Sequence, residues 1–174
     1  MGVYLRPRTI EEALAALAGG GPTVLAGGTD FYPVRVGRAL DDDVVDITAI
    51  ADLRVLREVD DHWRIGGTAT WRDIIDAPLP RQFDGLKLAA REIGGAQIQN
   101  AGTVAGNLCH ASPAADGVPA LLALDARVEL RSTAALRTLP LADFILGNRR
   151  TAIGPGELLS AILIPKCSSR AVGH

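Results

Sequence analysis

Residues 94–116, GGAQIQNAGTVAGNLCHASPAAD, include Gly94, Gly95, Gly102 and Gly106 but no lysine or arginine, and their one carboxylate, Asp116, comes last. No other stretch restricts the fold so strongly. Small side chains cannot fill a core unaided, so this segment must lie against something bulky. A connecting loop needs glycine only at its bends, where φ turns positive. Four glycines within thirteen residues, interleaved with Gln97, Asn100 and Thr103, exceed that need. The pattern predicts a shallow slot in which peptide N–H groups and neutral side chains meet a large, flat ligand.

Around this segment the chain alternates between helix and strand signals. Thr9, followed by Glu11 and Glu12 and closed by Gly19 and Gly20, predicts a helix over 10–17. PTVLAGGTD (22–30) reads as a buried strand entering a glycine turn. Residues 30–40 offer one or two helical turns, with Pro33 tolerated only in the first, and 43–48 a strand. From Asp52 onward two strands join at Asp60–Asp61, a capped helix follows Thr70, and another helix ends on Gly94 and Gly95. Beyond the small-residue stretch, Ser112 and Pro113 open a helix. Residues 126–132 alternate like a strand, 139–147 form a turn and helix, and 156–165 a last strand. The expected class is α+β, in two subdomains spanning 1–50 and 51–174.

Charge and cysteine usage exclude several functions. Net charge is −2, with 18 basic and 20 acidic residues mixed along the chain, so no basic stripe awaits nucleic acid. Apolar runs fall short of the roughly 20 residues of a membrane span. The opening MGVYLRPRTIEEAL lacks a signal-peptide core, and a cytoplasmic location is expected. Cys109 and Cys167 are far apart with no CxxC spacing, so no metal or iron–sulfur cluster is expected on this chain. Cys109 and His110, taken as neighbours in a strand, would face opposite sides. His62, in a turn, and His174 read as solvated surface, His110 as a loop-orienting group, and Trp63 and Trp71 as core. No residue reads as a general base or nucleophile.

A second glycine loop, Ala26-Gly27-Gly28-Thr29-Asp30, follows the first predicted strand. Paired glycines let successive N–H groups form a nest that holds phosphate without lysine, and a bare Cβ-free Gly28 leaves the phosphate room. A tight turn is the competing reading of this loop alone. Two separated nests suit a ligand with a diphosphate, such as a dinucleotide. Neither has the GxGxxG or GxxxxGK[ST] form, so the site is of neither the Rossmann nor the P-loop kind.

VLAGGTD, IGGAQIQNAGTVAGNLCHASPAAD, VPALLALDA and RRTAIGPGELLSAILIP, in this order, resemble the FAD-binding medium subunit of molybdenum hydroxylases, the xanthine dehydrogenase and carbon monoxide dehydrogenase group. YLRPRTIEEALAAL is similar too, so the resemblance covers nearly the whole chain. It implies the FAD-binding fold of the vanillyl-alcohol oxidase (PCMH) type, with two α+β subdomains gripping the cofactor. Carried over, Val24 and Leu25 lead into Ala26, Gly27, Gly28, Thr29 and Asp30 on the diphosphate. Ile93 and Gly94 line the flavin side. Thr103, Val104, Ala105, Gly106 and Asn107 form a second phosphate and ribityl loop, Asp116 binds a cofactor hydroxyl, and Leu159 touches the ring system. Ala105 stands where many relatives have glycine, which a negative φ tolerates. The resemblance further implies partner subunits, one small with iron–sulfur clusters and one large with molybdopterin. Electrons would pass from those clusters through FAD to NAD, oxygen or another acceptor. Relatives continue past IP165 into a C-terminal domain, which this chain is expected to lack. A self-contained flavin oxidoreductase and a shortened, non-catalytic partner-binding remnant are the competing functions.

Overall fold

The computed structural model describes residues 2–37 and 41–166. Cys167, His174 and the end of the 30–40 segment lie outside the described residues. The chain begins with β1 (Tyr4–Leu5), α1 (Ile10–Leu17), β2 (Thr23–Leu25) and β3 (Val44–Asp46). The strands pair in parallel in the order β1-β3-β2. Helix α1 starts where expected because the Thr9 hydroxyl accepts from the Glu12 N–H at 3.2 Å. Its Ile10, Ala13, Leu14 and Leu17, at i, i+3, i+4 and i+7, form one buried face. That face packs with Val45, Ile47, Ile50 and Leu53 into a first apolar cluster. Strand β2 departs from expectation, since only Leu25 is buried and Val24 is exposed. Pro33–Arg35 forms a single 3-10 turn with proline at its start.

The second part is an antiparallel sheet ordered β4-β5-β10-β6-β7. Its strands are β4 (Leu56–Glu58), β5 (His62–Gly66), β6 (Arg127–Arg131), β7 (Leu136–Pro140) and β10 (Leu158–Pro165). His62 opens β5 rather than sitting in the turn, half-buried. Between β5 and β6 run α2 (Trp71–Asp76), α3 (Asp84–Glu92), α4 (Ala96–Ala101), α5 (Val104–His110) and α6 (Gly117–Ala123). After β7 come α7 (Leu141–Phe144) and a small hairpin, β8 (Ile145–Gly147) and β9 (Arg150–Thr151). Helical Trp71, Ile74, Leu86, Leu108 and Leu121 pack on Ile65, Val128, Leu130 and Ile162 of the sheet to make a second, larger cluster. Strand β10 serves both cores: Leu158 belongs to the first cluster and Leu159 to the second.

Three expectations fail here for identifiable reasons. The 94–116 segment is not an open ribbon but carries two short helices, α4 and α5, so Cys109 and His110 lie on a helix rather than in a strand. Its alanines and amide side chains allow helix where they are not interrupted, and only Gly102 and the capping Thr103 separate the two pieces. Ser112 does not cap a helix: its hydroxyl accepts from Ala114 N at 3.2 Å in a local turn, and α6 begins only at Gly117. Strands β1, β7, β8 and β9 were not predicted, because they are short or open to solvent on their burial pattern.

Thr70 ties the parts of the second unit together. Its hydroxyl accepts from Asp73 N at 3.1 Å while the Asp73 carboxylate accepts from Thr70 N at 2.9 Å, a reciprocal capping box on α2. It also forms an isolated bridge with Thr103, the residue that caps α5. Thr70→Ala is expected to cost about 1 kcal/mol in urea denaturation, with an unchanged midpoint counting against the cap's role.

Candidate functional site

The two glycine segments meet. A Cβ on Gly27 would stand 2.1 Å from the Ala101 carbonyl oxygen and 2.9 Å from the Gly102 Cα, so the first loop rests directly on the α4–α5 joint. A cavity of about 640 Å³ opens between them, within the range of small-ligand and cofactor sites. Of the residues expected to bind, the continuous run 24–30 lines it, as do Ile93, Thr103, Ala105, Gly106, Asn107, Asp116 and Leu159. Gly94 and Val104 stand back. Val104 is wholly buried in the second core, and the φ of +53° at Gly94 turns the chain so that Ile98, a lining residue, packs where a Cβ would be.

The hydrogen bonds divide the two segments into different chemical roles. Among the described residues the N–H groups of Gly27, Gly28, Thr29 and Asp30 donate to nothing in the chain, while the Gly28 carbonyl accepts from Tyr32 N at 3.1 Å. The second segment is not the ribbon of free amides that its composition suggested. Val104 N donates to Ala69 O beside the Thr70–Thr103 bridge, and at the start of α5 Gly106 N donates to the Thr103 hydroxyl and Asn107 N to Thr103 O. What this segment offers is instead the Asn107 side chain, whose Oδ1 is buried without a partner, and the Cβ-free edges of Gly102 and Gly106. Ala105 lies in α5 without positive φ, so its methyl is accommodated. Gly28 is required less for ligand room than for its φ of +70° and for the Tyr32 ring, 2.5 Å from where a Cβ would stand.

Asp116 is exposed at the cavity edge, in the position before α6, and makes no capping hydrogen bond. His110 Nε2 lies 4.0 Å from Asp30 Oδ1, bringing the end of α5 against the end of the first loop. Sequence reasoning missed Phe31, Arg35, Ile98, Arg149 and Ile153 as lining residues, and Trp71 serves both cavity and core. Position in a helical turn after the first loop was the available signal for Phe31 and Arg35. Arg149, in a tight hairpin, opens the RRTAIGPGELLSAILIP motif, but nothing in that motif marked it as facing the cavity.

The family model for the FAD binding domain in molybdopterin dehydrogenase matches residues 1–167. The chain belongs to this family. Another member, the nicotinate dehydrogenase FAD-subunit of Eubacterium barkeri, is 34% identical over 172 residues, covering 94% of this chain and 58% of that protein. The carbon monoxide dehydrogenase medium chain of Afipia carboxidovorans is 35% identical over 167 residues, covering 93% and 58%. A chain of reconstituted CO dehydrogenase from Oligotropha carboxidovorans superposes with a TM-score of 0.90 at 31% identity, covering 97% of this chain and 60% of that one. The chain thus spans less than two thirds of the length of these relatives.

The residues present suit the FAD that gives the family domain its description. Four successive unpaired N–H groups match an anionic diphosphate, and the orphaned Asn107 oxygen and uncapped Asp116 carboxylate match donors on a polyhydroxylated chain or ring edge. Among the described residues, no three His, Cys, Asp or Glu side chains gather to hold a metal ion. Among them too, no helix is long and apolar enough to cross a membrane.

Proposed function

We propose that this chain holds FAD in the cavity between its glycine loop and α5, as the electron-transferring flavin portion of a multi-subunit molybdenum hydroxylase. The observation that carries the reading is the meeting of Gly27–Asp30 and Thr103–Asn107, distant in sequence, on one cavity. The N–H groups of residues 27–30 receive the diphosphate, and Leu25, Ile93 and Leu159 supply apolar wall to the ring system. Thr103, Gly106 and Asn107 border the ribityl chain, and Asp116 accepts from a cofactor hydroxyl. Two subdomains, 1–50 and 51–174, grip the cofactor in the manner of the vanillyl-alcohol oxidase (PCMH) type. When bound, FAD accepts electrons singly and gives them up in pairs.

Around it the chain's work is to bind, orient and exclude water, without proton transfer by its own side chains. Relatives named as FAD-subunit, medium subunit and medium chain support an assembly with an iron–sulfur small subunit and a molybdopterin large subunit. Those partners carry the metal chemistry, and NAD, oxygen or another acceptor takes the electrons from FAD.

The direct test is to denature the purified chain and identify the released cofactor, with FAD expected and its absence after reconstitution counting against the reading. Asp116→Ala is expected to weaken FAD binding by about 1–3 kcal/mol without lowering the melting temperature. Unchanged affinity in a titration would remove Asp116 from the site.

A further inference from the structure

Two arginines line the cavity, and only Arg35 is already engaged, donating to Asp42 at 2.8 and 2.6 Å and stacking 3.9 Å above the Phe31 ring. Arg149 has no acidic partner among the described residues, and its guanidinium makes no hydrogen bond there. Its backbone sits at φ 53°, in the turn between β8 and β9. Its N–H donates at 2.8 Å to the carbonyl of Ala111, itself at φ 45°. Left-handed geometry disfavours any residue with a Cβ, and glycine would occupy either position without strain. Strain of this kind, held by a hydrogen bond from one left-handed residue to the other at a cavity wall, marks a position where the side chain is used.

Ala111 directly follows His110, whose ring faces Asp30 at 4.0 Å. Arg149 is therefore anchored at the end of the cavity where the N–H groups of residues 27–30 are unpaired. Unpaired donors and an uncompensated guanidinium together form a setting for a phosphate group, which arginine binds through a planar fork. We infer that Arg149 is a ligand-binding residue that supplies the counter-charge for the diphosphate of a nucleotide in this cavity. The inference rests on the FAD reading, in which that diphosphate is the cofactor's own; a free nucleoside diphosphate presents the same chemistry.

The test titrates the full chain with FAD, ADP and riboflavin, the last of which has no phosphate. Arg149→Gly is expected to melt at or above the wild-type temperature, because it relieves the left-handed strain, yet to bind FAD and ADP at least tenfold more weakly (about 1.4 kcal/mol) while riboflavin affinity is unchanged. Arg149→Lys is expected to recover part of the loss. Equal FAD and ADP affinities in wild type and Arg149→Gly overturn the inference, as does an equal weakening toward riboflavin. A wild-type chain that binds ADP but not FAD sinks the FAD reading while Arg149 is still tested on ADP. Binding of neither overturns both.

Discussion

Gly27→Ala is expected to force the two walls of the cavity apart and release FAD. The added methyl would stand 2.1 Å from the Ala101 oxygen, 2.8 Å from the Ala101 carbonyl carbon and 2.9 Å from the Gly102 Cα. All three are backbone atoms, so no side chain can swing aside, and either the loop or the α4–α5 joint must move. Such overpacking costs about 3 kcal/mol, and moving the loop carries its four free N–H groups away from Asn107 and Asp116. Chemical denaturation is expected to show that loss, and the purified variant to be colourless. Gly28→Ala is the milder comparison. Its Cβ meets the exposed Tyr32 ring, a side chain that can shift where the backbone atoms facing Gly27 cannot, and to that displacement is added the left-handed φ, about 1–2 kcal/mol. A Gly27→Ala protein as stable and as yellow as wild type would sink the close-packing account.

The second large effect is expected at Glu129, which is not among the residues lining the cavity. Arg64 Nη1 and Nη2 donate to its carboxylate at 2.8 and 2.9 Å, Arg131 Nε at 3.2 Å, and the buried Ser160 hydroxyl donates as well. The group thus crosses the adjacent strands β5, β10 and β6 on the face opposite Val128 and Leu130. Burial alone would raise the Glu129 pKa, but these donors and the two positive charges lower it from 4.5 to about 2. The folded pKa lies below the unfolded one. The carboxylate's contribution is therefore complete above about pH 4.5 and disappears as pH falls from there through about 2. That difference is worth on the order of 3 kcal/mol. Glu129→Gln leaves Arg64 without its counter-charge and is expected to cost about 3 kcal/mol at neutral pH. In thermal scans across pH the variant should lose much of the acid-side decline seen in wild type. The remaining decline comes from Asp46, Asp61, Asp73 and Glu157, whose pKa values are also lowered, with hydrogen-bond donors outweighing burial. Identical acid-side profiles would contradict the role given to Glu129.

The helices with strong local signals were legible before the structure. Thr9 with its following acids, and Thr70 with Asp73, declare their helices through capping groups that act within four residues. The short edge strands β1 and β7 were not legible, because their pairing depends on partners far away in the chain. The same distinction governs the site. Both glycine segments stood out by composition, yet composition was misleading about what Gly102, Gly106 and Gly28 do. The first loop keeps four successive free amides because no helix claims them, whereas in the second segment Val104 N is taken by Ala69 and Gly106 N and Asn107 N by Thr103 at the start of α5. Arg149 could not be singled out, since its significance lies in a left-handed backbone bonded to Ala111, thirty-eight positions earlier.

Leu158 closes the apolar cluster built on α1 and β3, although more than a hundred residues separate it from either. On the ribosome, the amino-terminal unit emerges first but lacks a wall of its interior until β10 has cleared the exit tunnel. Early maturation of that unit during synthesis is thereby denied, and both halves must consolidate together. A nascent chain halted before residue 158 would thus present an unsealed, protease-sensitive amino-terminal half.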